Sequence, residues 1–118
     1  IDALSQQEQR DYFALSGSTA RSALGIWMNN AYPTDSGAEV GVCSAVFALA
    51  CRLNHDCRPN AHICWNDRIG MQTVHALRKI HVGEEVLVAY IGGDADGTRA
   101  TRQRQLLQKF SFACACPQ

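Results

Sequence analysis

The stretch Asn54-His55-Asp56-Cys57-Arg58-Pro59-Asn60 is the densest polar segment of this 118-residue chain, and it follows an apolar run. An Asn-His pair beside a cysteine, closed by Pro-Asn, indicates a tight loop with inward-facing polar groups. Proline and asparagine also favour an ordinary capped turn by themselves. The residues of this stretch alone support both interpretations equally.

Short strands are predicted on both sides of this loop. The downstream segments are β-branched or aromatic and are separated by turn residues: Ala61–Trp65, Met71–Leu77 and Val86–Ile91. The first two form a predicted hairpin around the turn Asn66–Gly70, and a second turn, His81–Glu84, precedes the third. Upstream, the apolar stretch Val40–Leu49 predicts a buried strand.

Helices are predicted near both ends of the chain. Ser5 and Glu8 have the spacing of a capping box, which would begin a helix. Its Tyr12, Phe13 and Leu15 are expected to face inward. Two further helices are predicted, at Ser22–Asn30 before Pro33 and from Thr98 onward, the last with Leu106, Leu107 and Phe110 on one face. Loops are predicted at Thr34–Ala38 and Gly92–Gly97.

Composition excludes several classes of protein. The chain is 47% hydrophobic with a net charge of zero, so it is expected to be globular and carries no signal for binding nucleic acid or an anionic membrane. No apolar run reaches the roughly 18 residues of a membrane span. We find no secretory signal, so an intracellular location is expected.

The six cysteines allow two interpretations. An even number in a short chain could form disulfides, but nothing indicates secretion, and reduced thiols fit better. Cys114 and Cys116 are too close in the chain to bridge each other without strain. Two thiolates at this spacing are half of a zinc site, which needs four ligands. The alternative is a pair of unremarkable thiols near the chain end.

The order of these features is more specific than any one of them. The series NHxCxPN at 54–60, a hairpin, GEExxxxY at 83–90, a helix and FxCxC at 112–116 resembles the SET-domain protein lysine methyltransferases. It is most similar to the branch that often carries a MYND zinc finger and to the related fungal SET proteins. The resemblance runs from about Gly25 to the end and is strongest from Leu53 onward.

The resemblance implies a fold and a division of the chain. The fold class would be α+β, the C-terminal part of a SET (β-clip, pseudo-knotted) domain with short β-strands and flanking helices. Residues 1–24 would be a helical segment preceding or inserted in that domain. Residues 25–97 would be its C-terminal half, and residues 98–118 a helix with a truncated post-SET zinc segment.

The resemblance also implies a site for the methyl donor S-adenosylmethionine. The Asn54 side chain would hold the amino-acid part of the donor, the His55 backbone would meet the adenine, and Phe112 would pack on that ring. Asn30 matches a further donor-contacting asparagine, and Cys51 and Arg52 could offer backbone contacts.

Tyr90 matches the family's catalytic tyrosine. Its alternative role is that of an amphipathic residue at the end of a strand. Phe110, beside it in the implied substrate channel, stands where some relatives have a second tyrosine that restrains the lysine amine. The number of methyl groups added is therefore left open.

A zinc site is implied at Cys57, Cys114 and Cys116, with a fourth ligand immediately after Gln118. Cys43, Cys51 and Cys64 are expected to be buried thiols. A rival cluster of Cys51, Cys57, Cys64 and His62 has no matching pattern in the family.

The implied function is S-adenosylmethionine-dependent methylation of a lysine in a histone or another protein, by a monomer in the nucleus or cytoplasm. Because no GxG precedes Asn54, we expect this chain by itself to be weak or inactive. The first alternative is a non-catalytic, zinc-stapled SET-like interaction module, against which the intact Asn54, His55 and Tyr90 argue. The second is a purely structural zinc domain.

Overall fold

The computed structural model describes residues 1–15, 22–34, 43–92 and 98–116. The chain divides into two compact units. The first unit is Ile1–Arg52 with Cys64–Thr73, and the second is Leu53–Ile63 with Val74–Gln118. In chain order the elements are α1 (Gln6–Phe13), α2 (Ala23–Asn30), β1 (Ala31–Pro33), β2 (Ser44–Val46), a 3-10 turn (Ala50–Arg52), β3 (Asn54–His55), β4 (Ala61–Asn66), β5 (Met71–Ala76), β6 (Leu87–Val88) and α3 (Arg99–Phe110).

Helix α1 begins at the predicted capping box. The Ser5 hydroxyl accepts from the Glu8 N–H at 3.3 Å, and the Glu8 carboxylate accepts from the Ser5 N–H at 2.8 Å. Leu15 is buried and Tyr12 is half-buried, as predicted, but Phe13 is 43% exposed. The prediction for Phe13 is wrong because neighbouring helix residues point about 100° apart.

Helix α2 begins one residue after its predicted start, because Ser22 is its cap, and the Ser22 hydroxyl accepts from the Gly25 N–H at 3.0 Å. Its Ile26 lies in the core of the first unit. The chain continues into β1, which pairs antiparallel with β2 in the register Ala31↔Val46.

The strand predicted over Val40–Leu49 is much shorter in the described residues. It covers only Ser44–Val46, and Leu49 is 84% exposed. The chain leaves the extended conformation because the Cys51 N–H donates to the Phe47 carbonyl at 2.9 Å and closes a turn.

In the second unit, β3 and β6 pair in parallel, with Asn54 opposite Leu87 and His55 opposite Val88. The strand predicted over Val86–Ile91 ends at Val88, because the Tyr90 N–H donates to the His55 side chain and not to a neighbouring strand. The hairpin of β4 and β5 lies within one residue of its predicted bounds.

Helix α3 is capped by Thr98, as predicted, and ends at Ser111 in the left-handed conformation with φ 60°. Leu106 is fully buried, whereas Leu107 is 56% exposed. The prediction that Leu107 shares one face with Leu106 is therefore wrong, because neighbouring residues point about 100° apart around the helix. Besides Leu106, the core of the second unit contains Ala61, Val88, Cys114 and the polar Asn60.

These short strands and flanking helices confirm the predicted α+β class. Apart from Thr34 and Gly92, the predicted loops Thr34–Ala38 and Gly92–Gly97 lie outside the described residues. Among the described residues, no helix is long and apolar enough to cross a membrane.

Candidate functional site

Asn60 joins the polar loop to the segment that carries Tyr90. Its side chain is 2% exposed, and its Oδ1 accepts from the Leu87 N–H at 2.8 Å. Its Nδ2 donates to the Glu85 carbonyl at 2.8 Å and to the Glu84 carboxylate at 3.2 Å. Both ends of the buried carboxamide are thus satisfied. The sequence placed Asn60 at the end of the motif but indicated no role for it.

Both carboxylates of the GEE segment also bind within this unit, and sequence analysis missed these contacts. Glu84 forms an ion pair with Arg78 and accepts from the His81 N–H at 3.1 Å. The Arg78 hydrogen bond, followed by that of His81, lowers the pKa of Glu84 to about 2. Glu85 accepts from the Asn54 Nδ2 at 2.6 Å. In the sequence, only the position of Glu84 and Glu85 beside Gly83 in the motif could have indicated these contacts.

His55 contacts both the tyrosine segment and a cysteine. Its Nδ1 accepts from the Tyr90 N–H at 3.0 Å, and its Nε2 lies 3.4 Å from the Cys57 Sγ. Burial lowers the pKa of His55, because the charged imidazolium loses water.

Tyr90 is half-buried in an aromatic cluster. Its ring centroid lies 4.9 Å from that of Phe110, 5.4 Å from that of His55 and 6.2 Å from that of Phe112. Its hydroxyl donates to the Leu53 carbonyl at 2.6 Å. Since that hydrogen is engaged, the Tyr90 oxygen can offer a ligand only its acceptor lone pairs. Aromatic faces of this kind attract cations and stack on flat heterocycles.

The structure brings the three cysteines predicted to bind zinc close together. The Sγ atoms of Cys57 and Cys114 lie 3.8 Å apart, and those of Cys114 and Cys116 lie 2.8 Å apart. The Cys57 N–H donates to the Cys116 Sγ at 3.3 Å. The ligating atoms of these three cysteines and His55 all lie within 4.8 Å of one another. Soft sulfur donors in such a group suit zinc.

The other cysteines behave differently. Of the described residues, no other group of three or more His, Cys, Asp or Glu side chains is gathered, so the rival cluster of Cys51, Cys57, Cys64 and His62 is not formed. Cys51 and Cys64 are half-buried, but Cys43 is exposed. The prediction of a buried thiol is wrong for Cys43, which lies just before the exposed first residue of β2.

The remaining predicted donor contacts belong to the first unit. The Cys51 thiol donates to the Asn30 carbonyl at 3.1 Å, and burial raises the pKa of Cys51. The Asn30 side chain donates to the Ile26 carbonyl at 2.7 Å, while Arg52 is exposed. That these three residues contact a methyl donor stays a prediction.

Comparison with known proteins identifies the family. The SET domain family model matches residues 4–91. Histone-lysine N-methyltransferase set5 of Schizosaccharomyces pombe is 41% identical over 93 residues, which are 79% of this chain and 27% of that protein. Histone-lysine N-methyltransferase ATXR4 of Arabidopsis thaliana is 41% identical over 78 residues, or 66% of this chain and 23% of that protein.

Protein-lysine N-methyltransferase SMYD4 of Homo sapiens is 32% identical over 84 residues, or 71% of this chain and 10% of that protein. The matched region thus spans between 10% and 27% of the length of these curated relatives. Since the family model covers most of the sequence and relatives above 30% identity extend over two thirds of it, this chain belongs to the SET-domain family.

Proposed function

We propose that this protein is an S-adenosylmethionine-dependent protein lysine N-methyltransferase in which Tyr90 is the catalytic tyrosine. The observation that carries the proposal is the Tyr90 hydroxyl, anchored at 2.6 Å on the Leu53 carbonyl within an aromatic cluster. The relatives are named as histone-lysine or protein-lysine methyltransferases, so a lysine in a histone or another protein is the proposed substrate.

The residue types of the second unit suit the donor. The rings of His55 and Phe112, with centroids 5.9 Å apart, offer aromatic faces for adenine and for a positive sulfonium. Asn54 is exposed and Glu85 orients its amide, so its Oδ1 can accept from the donor's amino group. That Asn30, Cys51 and Arg52 also contact the donor is a further part of the proposal. When bound, the donor supplies a methyl group on a sulfonium, which an unprotonated lysine amine takes up.

Two features of the Tyr90 cluster would prepare the lysine. A free lysine has a pKa near 10.4, and a half-buried aromatic cluster would disfavour the ammonium form because the charge loses water there. The Tyr90 oxygen would accept from the amine N–H and fix its direction; positioning of this kind can contribute several kcal/mol. Phe110 offers no hydroxyl to restrain the amine.

Cys57, Cys114 and Cys116 would hold a structural zinc ion. The ion would fix the segment that carries Phe112 beside the polar loop, and so link metal binding to donor binding. The predicted fourth ligand after Gln118 remains part of this proposal.

The test is methyl transfer from labelled S-adenosylmethionine onto histones and a cell extract, using the whole protein. Tyr90→Phe is compared with Tyr12→Phe, because the Tyr12 hydroxyl also donates to a carbonyl, that of Ala23 at 2.7 Å. We expect Tyr90→Phe to lower kcat by about 100-fold or more, and Tyr12→Phe to leave it unchanged. Equal rates for both variants would contradict the assigned role of Tyr90. If the unsubstituted protein neither transfers methyl groups nor binds S-adenosylmethionine, the result would favour the non-catalytic interaction module.

The remaining parts of the proposal concern the chain as a whole. Because the matched region spans at most 27% of the curated relatives, we expect residues 1–118 alone to transfer methyl groups weakly or not at all. The division into 1–24, 25–97 and 98–118, a monomeric state and a nuclear or cytoplasmic location also belong to the proposal. Appreciable transfer by residues 1–118 alone would refute the first of these statements.

A further inference from the structure

His55 lies between the candidate zinc thiols and the candidate catalytic tyrosine. Its two ring nitrogens face different partners, the Tyr90 N–H at 3.0 Å and the Cys57 Sγ at 3.4 Å. The pairing of β3 with β6 brings them together, since His55 is opposite Val88, two residues before Tyr90. One side chain thus contacts both halves of the proposed site.

The partner of Nδ1 determines which nitrogen carries the ring hydrogen. A backbone N–H only donates, so the Nδ1 that accepts from Tyr90 must keep its lone pair. In the neutral imidazole the hydrogen then sits on Nε2, facing the Cys57 sulfur.

The same hydrogen bond argues against His55 as a zinc ligand, although a ring nitrogen of His55 lies within 4.8 Å of the sulfur atoms of all three cysteines. Coordination through Nε2 would move the ring hydrogen to Nδ1. The Nδ1–H would then face the Tyr90 N–H at 3.0 Å, and the hydrogen bond that Tyr90 donates to Nδ1 would be lost.

We propose that His55 is a positioning residue that couples zinc binding to Tyr90. Its Nε2–H stabilises the Cys57 thiolate on the metal, and its Nδ1 holds the Tyr90 backbone. This inference rests on the proposed zinc site and on the proposed role of Tyr90. A zinc ion on the Cys57 sulfur would fix the position of that sulfur, and through the contact with Nε2 the imidazole and the segment bearing the tyrosine.

Two substitutions separate the two hydrogen bonds. In His55→Asn the amide oxygen lies near the position of Nδ1, so it can accept from Tyr90 but cannot reach Cys57. In His55→Gln the amide nitrogen lies near the position of Nε2 and can donate to Cys57. His62→Asn, at an exposed histidine of β4, is the matched control.

Zinc affinity, measured by chelator competition on the full chain, tests the Cys57 half. Removing an outer partner of a metal ligand typically weakens binding by about 10- to 100-fold, and we expect this for His55→Asn. His55→Gln and His62→Asn should stay within a few-fold of the unchanged chain. Zinc binding to His55→Asn as tight as to the unchanged chain would overturn the coupling.

Nitrogen-15 NMR of the histidine ring tests the Tyr90 half without any activity assay. We expect the Nε2–H form in the zinc-loaded chain, and a Tyr90 amide signal that moves in His55→Gln more than in His55→Asn. A ring protonated on Nδ1 with zinc on Nε2 would overturn the inference. If the NMR and zinc results are as expected but no methyl transfer occurs, the enzyme proposal alone is contradicted. If the protein transfers methyl groups but the His55 variants change neither zinc affinity nor the Tyr90 amide signal, only the coupling is contradicted.

Discussion

The side-chain hydrogen bonds at the helix starts of the first unit and those of the candidate site in the second unit span very different lengths of chain. In the first unit, those at the helix starts join neighbours, such as Ser5 with Glu8, three residues apart. In the second unit, Asn60 reaches Glu84 across 24 residues and Tyr90 reaches Leu53 across 37. The first kind holds a single element together, whereas the second kind builds the candidate site.

This difference has an energetic side. Bringing distant segments together costs more loop-closure entropy than closing a helical turn. The second unit offsets that cost with buried polar contacts, such as the satisfied carboxamide of Asn60. Such contacts fail abruptly when one partner is removed, because the other is left buried without a hydrogen bond. The second unit should therefore be the more sensitive to single polar substitutions.

Asn60→Ala should give the largest effect. It leaves the Leu87 N–H and the Glu85 carbonyl without their partner, so we expect the free energy of unfolding to fall by about 3 kcal/mol. Urea denaturation measures the change. Asn66→Ala, which removes an exposed turn contact with Arg68, is the control and should cost about 0.5 kcal/mol. Similar losses for both variants would break the comparison between the units.

Tyr12→Phe tests a longer contact of the first unit. The Tyr12 hydroxyl donates to the Ala23 carbonyl across 11 residues, and its partial burial raises the pKa of Tyr12. We expect a loss of about 1 kcal/mol by urea denaturation, smaller than for Asn60→Ala. Phe13→Leu, at an exposed neighbour, should have less effect. A loss as large as that of Asn60→Ala would show that the first unit also depends on distant polar contacts.

Ser5→Ala tests a local contact alone. Removing the capping hydroxyl should cost somewhat less than about 1 kcal/mol, since the box lies on the surface. Thermal unfolding followed by circular dichroism at helical wavelengths gives the change. Ser44→Ala, at the exposed first residue of β2, serves as the control and should leave the melting temperature nearly unchanged.

Glu84→Gln should give the smallest effect, and one that depends on pH. The pKa of Glu84 is about 2 in the folded chain and 4.5 as its ordinary value, so the unfolded state binds a proton first as pH falls. The stabilisation by ionised Glu84 is thus complete above about pH 4.5 and is lost between there and about pH 2. Glu84→Gln should flatten the fall of the urea midpoint across that window.

Arg78→Gln is the matched variant for this experiment, because the Arg78 hydrogen bond is the main cause of the lowered pKa. Arg78→Gln should also reduce the fall of the urea midpoint between about pH 4.5 and pH 2. The double variant should change the urea midpoint little more than either single substitution does. An unchanged slope in Glu84→Gln would mean that this ion pair contributes nothing to folding.

The sequence by itself determined the elements whose signals are local. The capping box at Ser5 is where it was predicted, and the helix starts at Ser22 and Thr98 and the hairpin of β4 and β5 lie within one residue of their predicted positions. The motif series from residue 54 onward also identified the SET family, which the family model confirms. Local signals succeed because a cap or a turn is completed by residues a few positions apart.

Only the tertiary structure decided where strands stop and which polar atoms meet. Strand β6 ends at Val88, and the Tyr90 N–H that follows it donates to an imidazole 35 residues earlier in the chain. The contacts of Asn60, Glu84 and Glu85 could not be read from the chain for the same reason. A hydrogen bond depends on the atom that folding brings within about 3 Å, and neither composition nor periodicity carries that information across dozens of residues.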